Sequence, residues 1–209
     1  MIFDLDNTLY DEKTLLYAVC LEFCKRYDLE FSHIESMLKD DFLLESKDIF
    51  GDWLKHFGFF TKERQEELFY LYGHLETPLE LYEDALEIIS FLQKRGIKLG
   101  ILTNGALTSQ MHKVKLLKLE SLGLKVCYAR ANGKEYEKPH IDAFSRALAM
   151  LDSAPSTCLF VGDNPRTDIL GANNAGLTSV HLQRGYGALI PCTNASRTIT
   201  HLTQIKDYW

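Results

Sequence analysis

The feature that most restricts the fold is the alternation of helix-like and strand-like segments along residues 78–209. In the first cycle, residues 85–92 have apolar side chains at helical spacing, a glycine stop follows at Gly96, and the apolar run IKLGILT comes next. An uninterrupted apolar run of this length is typical of a strand buried on both faces. Three further cycles are 106–121 before KVCYA, 140–151 before TCLFVG, and 166–175 before TSVHL. Repeated strand and helix units predict an α/β fold with a doubly wound parallel sheet, and residues 197–205 are expected to add an edge strand and a helical turn.

Residues 14–77 have a different pattern from this α/β portion. Their apolar side chains recur at helical spacing throughout, and turn signals divide the stretch into about four helices with no strand. We therefore predict a helical-bundle domain, residues 14–77, inserted into an α/β core made of residues 1–13 and 78–209. The first strand of that core is expected at Met1 to Asp4. The aromatic residues of the insertion are expected mainly to form its own core.

Charge and apolar patterning exclude several classes of protein. The 209-residue chain has a net charge of −6 and no long run of like charge, which argues against a nucleic-acid groove or an anionic membrane surface as partner. It has no run of about 20 apolar residues and no basic leader followed by an apolar segment, so we expect neither a membrane span nor export.

The cysteines show no CxxC spacing, which favours reduced, buried thiols in the cytoplasm. They are Cys20, Cys24, Cys127, Cys158 and Cys192. Composition leaves both a monomer and a dimer open.

Polar clusters follow the predicted strands, where ligands bind in open α/β sheets. Asp4 and Asp6 come directly after the first strand, and two carboxylates at this spacing in a strand would share a face and repel each other without a cation between them. The pattern therefore predicts a metal site. The other clusters are Thr103, Asn104 and Gly105 after IKLGIL, Lys138 in the loop before residue 140, and Asp163 with Asp168 after TCLFVG.

These four clusters, in this order, resemble the motifs of the haloacid dehalogenase superfamily. The matching stretches are FDLDNTL, LTNG, EKP and GDNPRTD. The inserted helices resemble the cap that the superfamily's helical-capped phosphatases carry between the first and second motifs. The resemblance thus implies a Rossmann-like core with a helical cap, and a Mg²⁺-dependent phosphatase that acts through an aspartyl-phosphate.

The resemblance also implies roles for individual residues. Asp4 is expected to be the nucleophile, and Asp6 to protonate the leaving alkoxide and then deprotonate the attacking water. Magnesium is expected to bind the carboxylates of Asp4 and Asp163 and the backbone carbonyl of Asp6, with Asp168 acting through a water. An ordinary acidic residue in the first turn of a helix remains an alternative for Asp168.

The phosphate group is expected to bind to neutral donors and one lysine. Thr103 and the backbone amides of Asn104 and Gly105 lie at the start of a predicted helix, which is a favourable place for an anion. Lys138 would supply the fixed positive charge. Thr8 is expected to support the loop rather than to contact substrate.

Other functions stay open at this point. A 2-haloacid dehalogenase has no alkoxide to protonate, so Asp6 argues against that reaction. A non-catalytic phosphate-binding regulatory protein would also have acidic residues, a threonine and a lysine at strand ends, but response-regulator receivers place the acidic pair before the phospho-accepting aspartate and lack a helical insertion. A nucleotide, a sugar phosphate and phosphoglycolate are all plausible small-molecule substrates, and contacts from residues 130–137 are undecided.

Overall fold

The structure is a computed structural model that describes residues 1–208. It divides into two compact units, one formed by Met1–Asp11 with Glu80–Trp209 and the other by Glu12–Leu79. These boundaries lie within two residues of those expected from the hydrophobic pattern. Within residues 1–208, no helix is both long enough and apolar enough to cross a membrane.

The larger unit contains one sheet of six parallel strands among the described residues, in the order β3-β2-β1-β4-β5-β6. The strands are β1 (Ile2–Phe3), β2 (Gly100–Thr103), β3 (Lys125–Tyr128), β4 (Leu159–Gly162), β5 (Thr178–Leu182) and β6 (Arg197–Ile199). The predicted α/β fold with a parallel sheet is therefore confirmed. The edge strand near the end of the chain is also present as β6, followed by a 3₁₀ segment, Leu202–Tyr208.

Helices connect the strands of this unit. They are α6 (Glu83–Lys94), α7 (Leu107–Leu116), α8 (Ile141–Leu151) and α9 (Leu170–Asn174), with a π-helical turn, Pro165–Ile169, leading into α9. The apolar faces of these helices and both faces of the central strands form the core. Phe144 of α8, for example, packs against Phe160 of β4 with ring centroids 5.1 Å apart, and both side chains are fully buried.

The smaller unit contains five α-helices within residues 12–79, all of which are described. They are α1 (Glu12–Arg26), α2 (Ser32–Met37), α3 (Asp40–Glu45), α4 (Ile49–His56) and α5 (Lys62–His74). The sequence predicted about four, because no glycine or proline marks the break between α2 and α3. Lys39 interrupts the helix with an extended backbone, φ −68° and ψ 136°. Aromatic side chains form part of the unit's core, including Phe23 and Trp53, whose ring centroids lie 6.1 Å apart.

The first strand is short but central. Ile2 and Phe3 are fully buried and pair with β2 on one side and β4 on the other. Beyond the strand the chain turns through Asn7, which has a left-handed φ of 57°, and Tyr10 forms a bridge with Leu81. The two segments that lead into and out of the helical unit are therefore adjacent within the core.

Candidate active site

The order of the strands brings the predicted site residues together. Because β1 lies between β2 and β4, the residues that follow these three strands meet at one edge of the sheet. Asp4 follows β1, Thr103 ends β2, and Asp163 follows β4; all three are buried.

Three carboxylates form an acidic cluster at this edge. One carboxylate oxygen from each of Asp4, Asp163 and Asp168 lies within 4.8 Å of the other two. Lys138 faces the cluster from the loop before α8, and its Nζ contacts Asp4 Oδ1 and lies 2.7 Å from Asp168 Oδ1. One ammonium thus faces three buried carboxylates.

The charges of this cluster perturb one another. Burial raises the pKa of Asp4 to about 7, and the negative charges of Asp168 and Asp6 act in the same direction while Lys138 opposes them. Burial by itself would lower the pKa of Lys138, but the neighbouring charges of Asp168 and Asp4 outweigh it and raise that pKa above its ordinary value. Negative charge is therefore in excess at the site.

The donor set fits a hard divalent cation. Carboxylate oxygens are the ligands that Mg²⁺ prefers, and the ion usually binds through one or two of them with waters and substrate phosphate completing its coordination. A cation among Asp4, Asp163 and Asp168 would offset the charge that Lys138 leaves uncompensated. The carboxylate of Asp6 is not part of this group, and the backbone carbonyl assigned to the metal from the sequence stays a prediction.

Asp6 occupies a different environment from Asp4. The strand ends at Phe3, so the expectation that the two carboxylates project from one face of a strand is wrong. Asp6 Oδ1 accepts hydrogen bonds from Tyr10 Oη at 2.7 Å and Lys113 Nζ at 2.6 Å, and Oδ2 accepts one from Gln110 Nε2 at 3.1 Å. Each of the two aspartates therefore contacts its own lysine.

Gln110 and Lys113 were not among the residues predicted for the site. Both belong to α7, the helix that follows the LTNG motif, and they lie three residues apart on one face. Both are buried. The sequence feature that could have revealed them is a pair of long polar side chains on the buried face of a helix. Such groups are seldom buried without partners, so the pair indicates a polar site.

The segment Thr103–Gly105 contacts the lysine loop. Asn104 Nδ2 donates to the backbone oxygen of Lys138 at 2.9 Å, and the Lys138 amide donates to Asn104 Oδ1 at 2.8 Å. The Asn104 side chain therefore holds the backbone of Lys138, a role that the motif did not reveal. The Gly105 amide donates to Glu137 Oε1 at 2.6 Å, so in this structure a carboxylate occupies one of the three donors assigned to phosphate. Phosphate binding by this segment remains a prediction.

The loop after β4 is held by buried polar groups. Asp168 Oδ2 accepts a hydrogen bond from the Asn164 amide at 3.0 Å, which fixes that carboxylate within the turn. His181, on the neighbouring strand β5, donates from Nε2 to the backbone oxygen of Asp163 at 3.1 Å. Burial lowers the pKa of His181, which favours the neutral ring. Thr8 is fully buried, and its supporting role stays a prediction.

Comparison with known proteins decides the family. The sequence model of the haloacid dehalogenase-like hydrolases matches residues 1–182, which include all four motifs. The chain belongs to this family. The family resemblance inferred from the motifs and the expectation of a hydrolase are confirmed.

The chain is similar to several named hydrolases. Pyrophosphatase PpaX of Bacillus mycoides (strain KBAB4) is 30% identical over 187 residues, which cover 86% of this chain and 81% of the relative. Among solved structures, a HAD phosphatase from Thermococcus onnurineus has a TM-score of 0.64 and 25% identity over 99% of this chain and 95% of that one. The HAD-hydrolase YfnB of Bacillus subtilis, described as bound to magnesium, has a TM-score of 0.78 and 18% identity, covers 99% of this chain and 96% of that one, and is similar in fold.

Proposed function

We propose that this hydrolase is a Mg²⁺-dependent phosphatase that acts on a small phosphorylated metabolite through a phosphoryl group carried on Asp4. The observation that carries the proposal is the buried cluster of Asp4, Asp163 and Asp168 with Lys138 beside it. The similarity to the pyrophosphatase PpaX and to the Thermococcus phosphatase, whose names both concern phosphorylated compounds, supports it.

In this proposal Asp4 attacks the phosphorus atom. A bond forms between its carboxylate oxygen and phosphorus while the bond from phosphorus to the leaving oxygen breaks. Lys138 neutralises part of the charge and holds Asp4 in place through its contact with Oδ1. Mg²⁺, held by Asp4 and Asp163 with help from Asp168, would supply the positive charge that lets an anionic nucleophile approach an anionic phosphate.

Asp6 moves the protons in both halves of the reaction. It donates one to the leaving oxygen in the first half and accepts one from the attacking water in the second. Dehalogenation needs no acid of this kind, because halide leaves without a proton. A carboxylate held by three donors at the position of Asp6 therefore favours phosphate ester hydrolysis over the dehalogenase alternative.

The substrate class is proposed only at the level of a small phosphorylated molecule in the cytoplasm. Nucleotides, sugar phosphates, phosphoglycolate and, from the name of PpaX, pyrophosphate are the compounds to compare in a panel. Turnover of a 2-haloacid and of none of these phosphates would favour the dehalogenase.

Intact-protein mass spectrometry with an activated aryl phosphate tests the mechanism. Asp4→Asn removes the nucleophile and should carry no phosphate, whereas Asp6→Asn should still be phosphorylated, because this leaving group needs no proton. The Asp6 variant should then lose its phosphate roughly 10²- to 10⁴-fold more slowly than wild type, since the base is missing.

A surface variant provides the matched control. Asp152→Asn makes the same chemical change at an exposed position after α8 whose left-handed φ of 46° asparagine also adopts. It should behave as wild type. Phosphate on any residue other than Asp4 would show that the nucleophile is wrongly assigned.

A further inference from the structure

Lys113 is a buried lysine for which neither the four motifs nor the mechanism above has a role. It belongs to α7, its side chain has no exposed surface, and its Nζ lies 2.6 Å from Asp6 Oδ1. An ammonium removed from water is costly unless it is paired and hydrogen-bonded. The pairing with Asp6 meets that requirement, so the two side chains form one unit.

The donors around Asp6 are distributed unevenly over its two oxygens. Oδ1 accepts from both Lys113 and Tyr10, which uses both lone pairs of that oxygen. Oδ2 accepts a hydrogen bond from Gln110 Nε2, at the longer distance of 3.1 Å. The carboxylate is partly open to solvent, with 18% of the side chain exposed, whereas Lys113 is not. The oxygen with capacity for a further proton is therefore Oδ2.

We propose that Lys113 is a positioning residue for proton transfer by Asp6, with Gln110 in support. By saturating Oδ1, Lys113 and Tyr10 fix the rotation of the carboxylate, so that Oδ2 is the atom that exchanges protons. The inference rests on the proposed phosphatase function and extends it to a residue outside the motifs. The structure thus has two pairs of buried lysine and catalytic carboxylate: Lys138 with Asp4, and Lys113 with Asp6.

The two half-reactions balance with this assignment. In the first, the Oδ2–H bond breaks and the proton goes to the leaving oxygen. At the same time the bond between that oxygen and phosphorus breaks, and a carboxylate oxygen of Asp4 bonds to phosphorus. In the second, water loses a proton to Oδ2 as its oxygen bonds to phosphorus and the bond from phosphorus to Asp4 breaks. Alcohol and phosphate are released, and Asp6 is again protonated. Lys113 keeps its own protons throughout.

A double-mutant cycle separates positioning from a general structural role. Lys113→Met is compared with Lys113→Arg, which retains the charge, and both are placed in the wild-type and Asp6→Asn backgrounds. Lys115→Met, at an exposed position of the same helix, is the matched control. Each variant is assayed with an alkyl phosphate, whose leaving group needs a proton, and an activated aryl phosphate, whose leaving group does not.

Lys113→Met should slow alkyl phosphate turnover by about 10²-fold, and it should accumulate phosphorylated enzyme on the aryl substrate. Lys113→Arg should restore part of the rate. In the Asp6→Asn background Lys113→Met should add almost nothing, because the group through which it acts is gone. Losses that multiply in that background, or equal losses on both substrates without phosphoenzyme, would overturn the inference.

Two complications have their own tests: a Lys113→Met variant that does not fold, and a wild-type enzyme without phosphatase activity. If Lys113→Met does not fold, as judged by circular dichroism, Gln110→Met removes the donor to Oδ2 and should show the same preference for activated leaving groups; wild-type discrimination in that variant would overturn the inference. If wild-type enzyme hydrolyses neither ester and carries no phosphate on Asp4, the proposed function fails and this inference fails with it. A phosphorylated wild type with an unaffected Lys113→Met variant refutes the positioning role alone.

Discussion

Gly162, the last residue of β4, should be intolerant of even one added methyl group. A Cβ atom at this position would lie 2.5 Å from Asp168 Cγ and 2.7 Å from Asp168 Cβ. Non-bonded carbon atoms settle at about 3.5 Å or more, so in Gly162→Ala the Asp168 side chain must withdraw by roughly 1 Å.

The surroundings of Asp168 turn that displacement into a functional loss. Its carboxylate contacts Lys138 Nζ at 2.7 Å and the Asn164 amide at 3.0 Å, so it moves only by disturbing the cluster. A misplacement of about 1 Å in an active site can reduce the rate by about 10²-fold. We therefore expect kcat/KM to fall by about 10²-fold, which corresponds to roughly 2.7 kcal/mol of lost transition-state stabilisation.

The assay combines steady-state kinetics over a range of Mg²⁺ concentrations with calorimetric Mg²⁺ titration of the free enzyme. Gly162→Ala should need more Mg²⁺ for half-maximal activity and should bind it more weakly. Gly100→Ala, at a buried position in β2, is the matched control, because the nearest atoms that its Cβ would meet are flexible side-chain ends of Leu151 and Met150, at 3.1 Å. Wild-type Mg²⁺ dependence in Gly162→Ala would refute the reasoning.

Three other predictions follow from the site and the fold. Excess chelator should abolish aryl phosphatase activity and added Mg²⁺ should restore it, and undiminished turnover in chelator would contradict the metal assignment. Tyr10 and Leu81 form a bridge, so a short linker can replace residues 12–79. The shortened protein should fold but discriminate poorly among small phosphorylated substrates. An unchanged ranking of substrates would place specificity in the core. Burial tends to raise the pKa of Asp84, but hydrogen bonds from Arg184 and the Leu202 amide outweigh it and lower that pKa below its ordinary value. The resulting stabilisation is present above the unfolded pKa of about 4 and is lost as the pH falls through the folded value, so Asp84→Asn should lower the melting temperature at pH 7 and lower it less at pH 3.

Periodicity and motif order were sufficient to predict the core and most of the candidate site. The alternation of segments gave the parallel sheet, and residues that follow parallel strands necessarily meet at one edge. Asp4, Asp163 and Lys138 could therefore be placed together from the sequence alone.

What the sequence could not supply was the pairing of side chains across elements. Helical spacing puts Gln110 and Lys113 on one face of α7, but which loop that face meets depends on how the helix packs against the segment after β1. The same limit applies to Glu137, whose contact with the Gly105 amide joins two loops that are distant in sequence. The break between α2 and α3 escaped detection for a different reason, since no glycine or proline encodes it.

The central position of β1 has a consequence for how the chain folds during its synthesis. Phe3 pairs with Ile101 and with Val161, so the strand that precedes Asp4 has both neighbours only after the ribosome has passed residue 161. At roughly 5–20 residues per second, this interval is on the order of 10 to 30 s. Residues 12–79 emerge early in that interval and make their contacts locally, and local contacts form quickly. The helical unit can thus fold while β1 still lacks its partner β4, and Asp4 and Asp163 can come together only after β4 has been made.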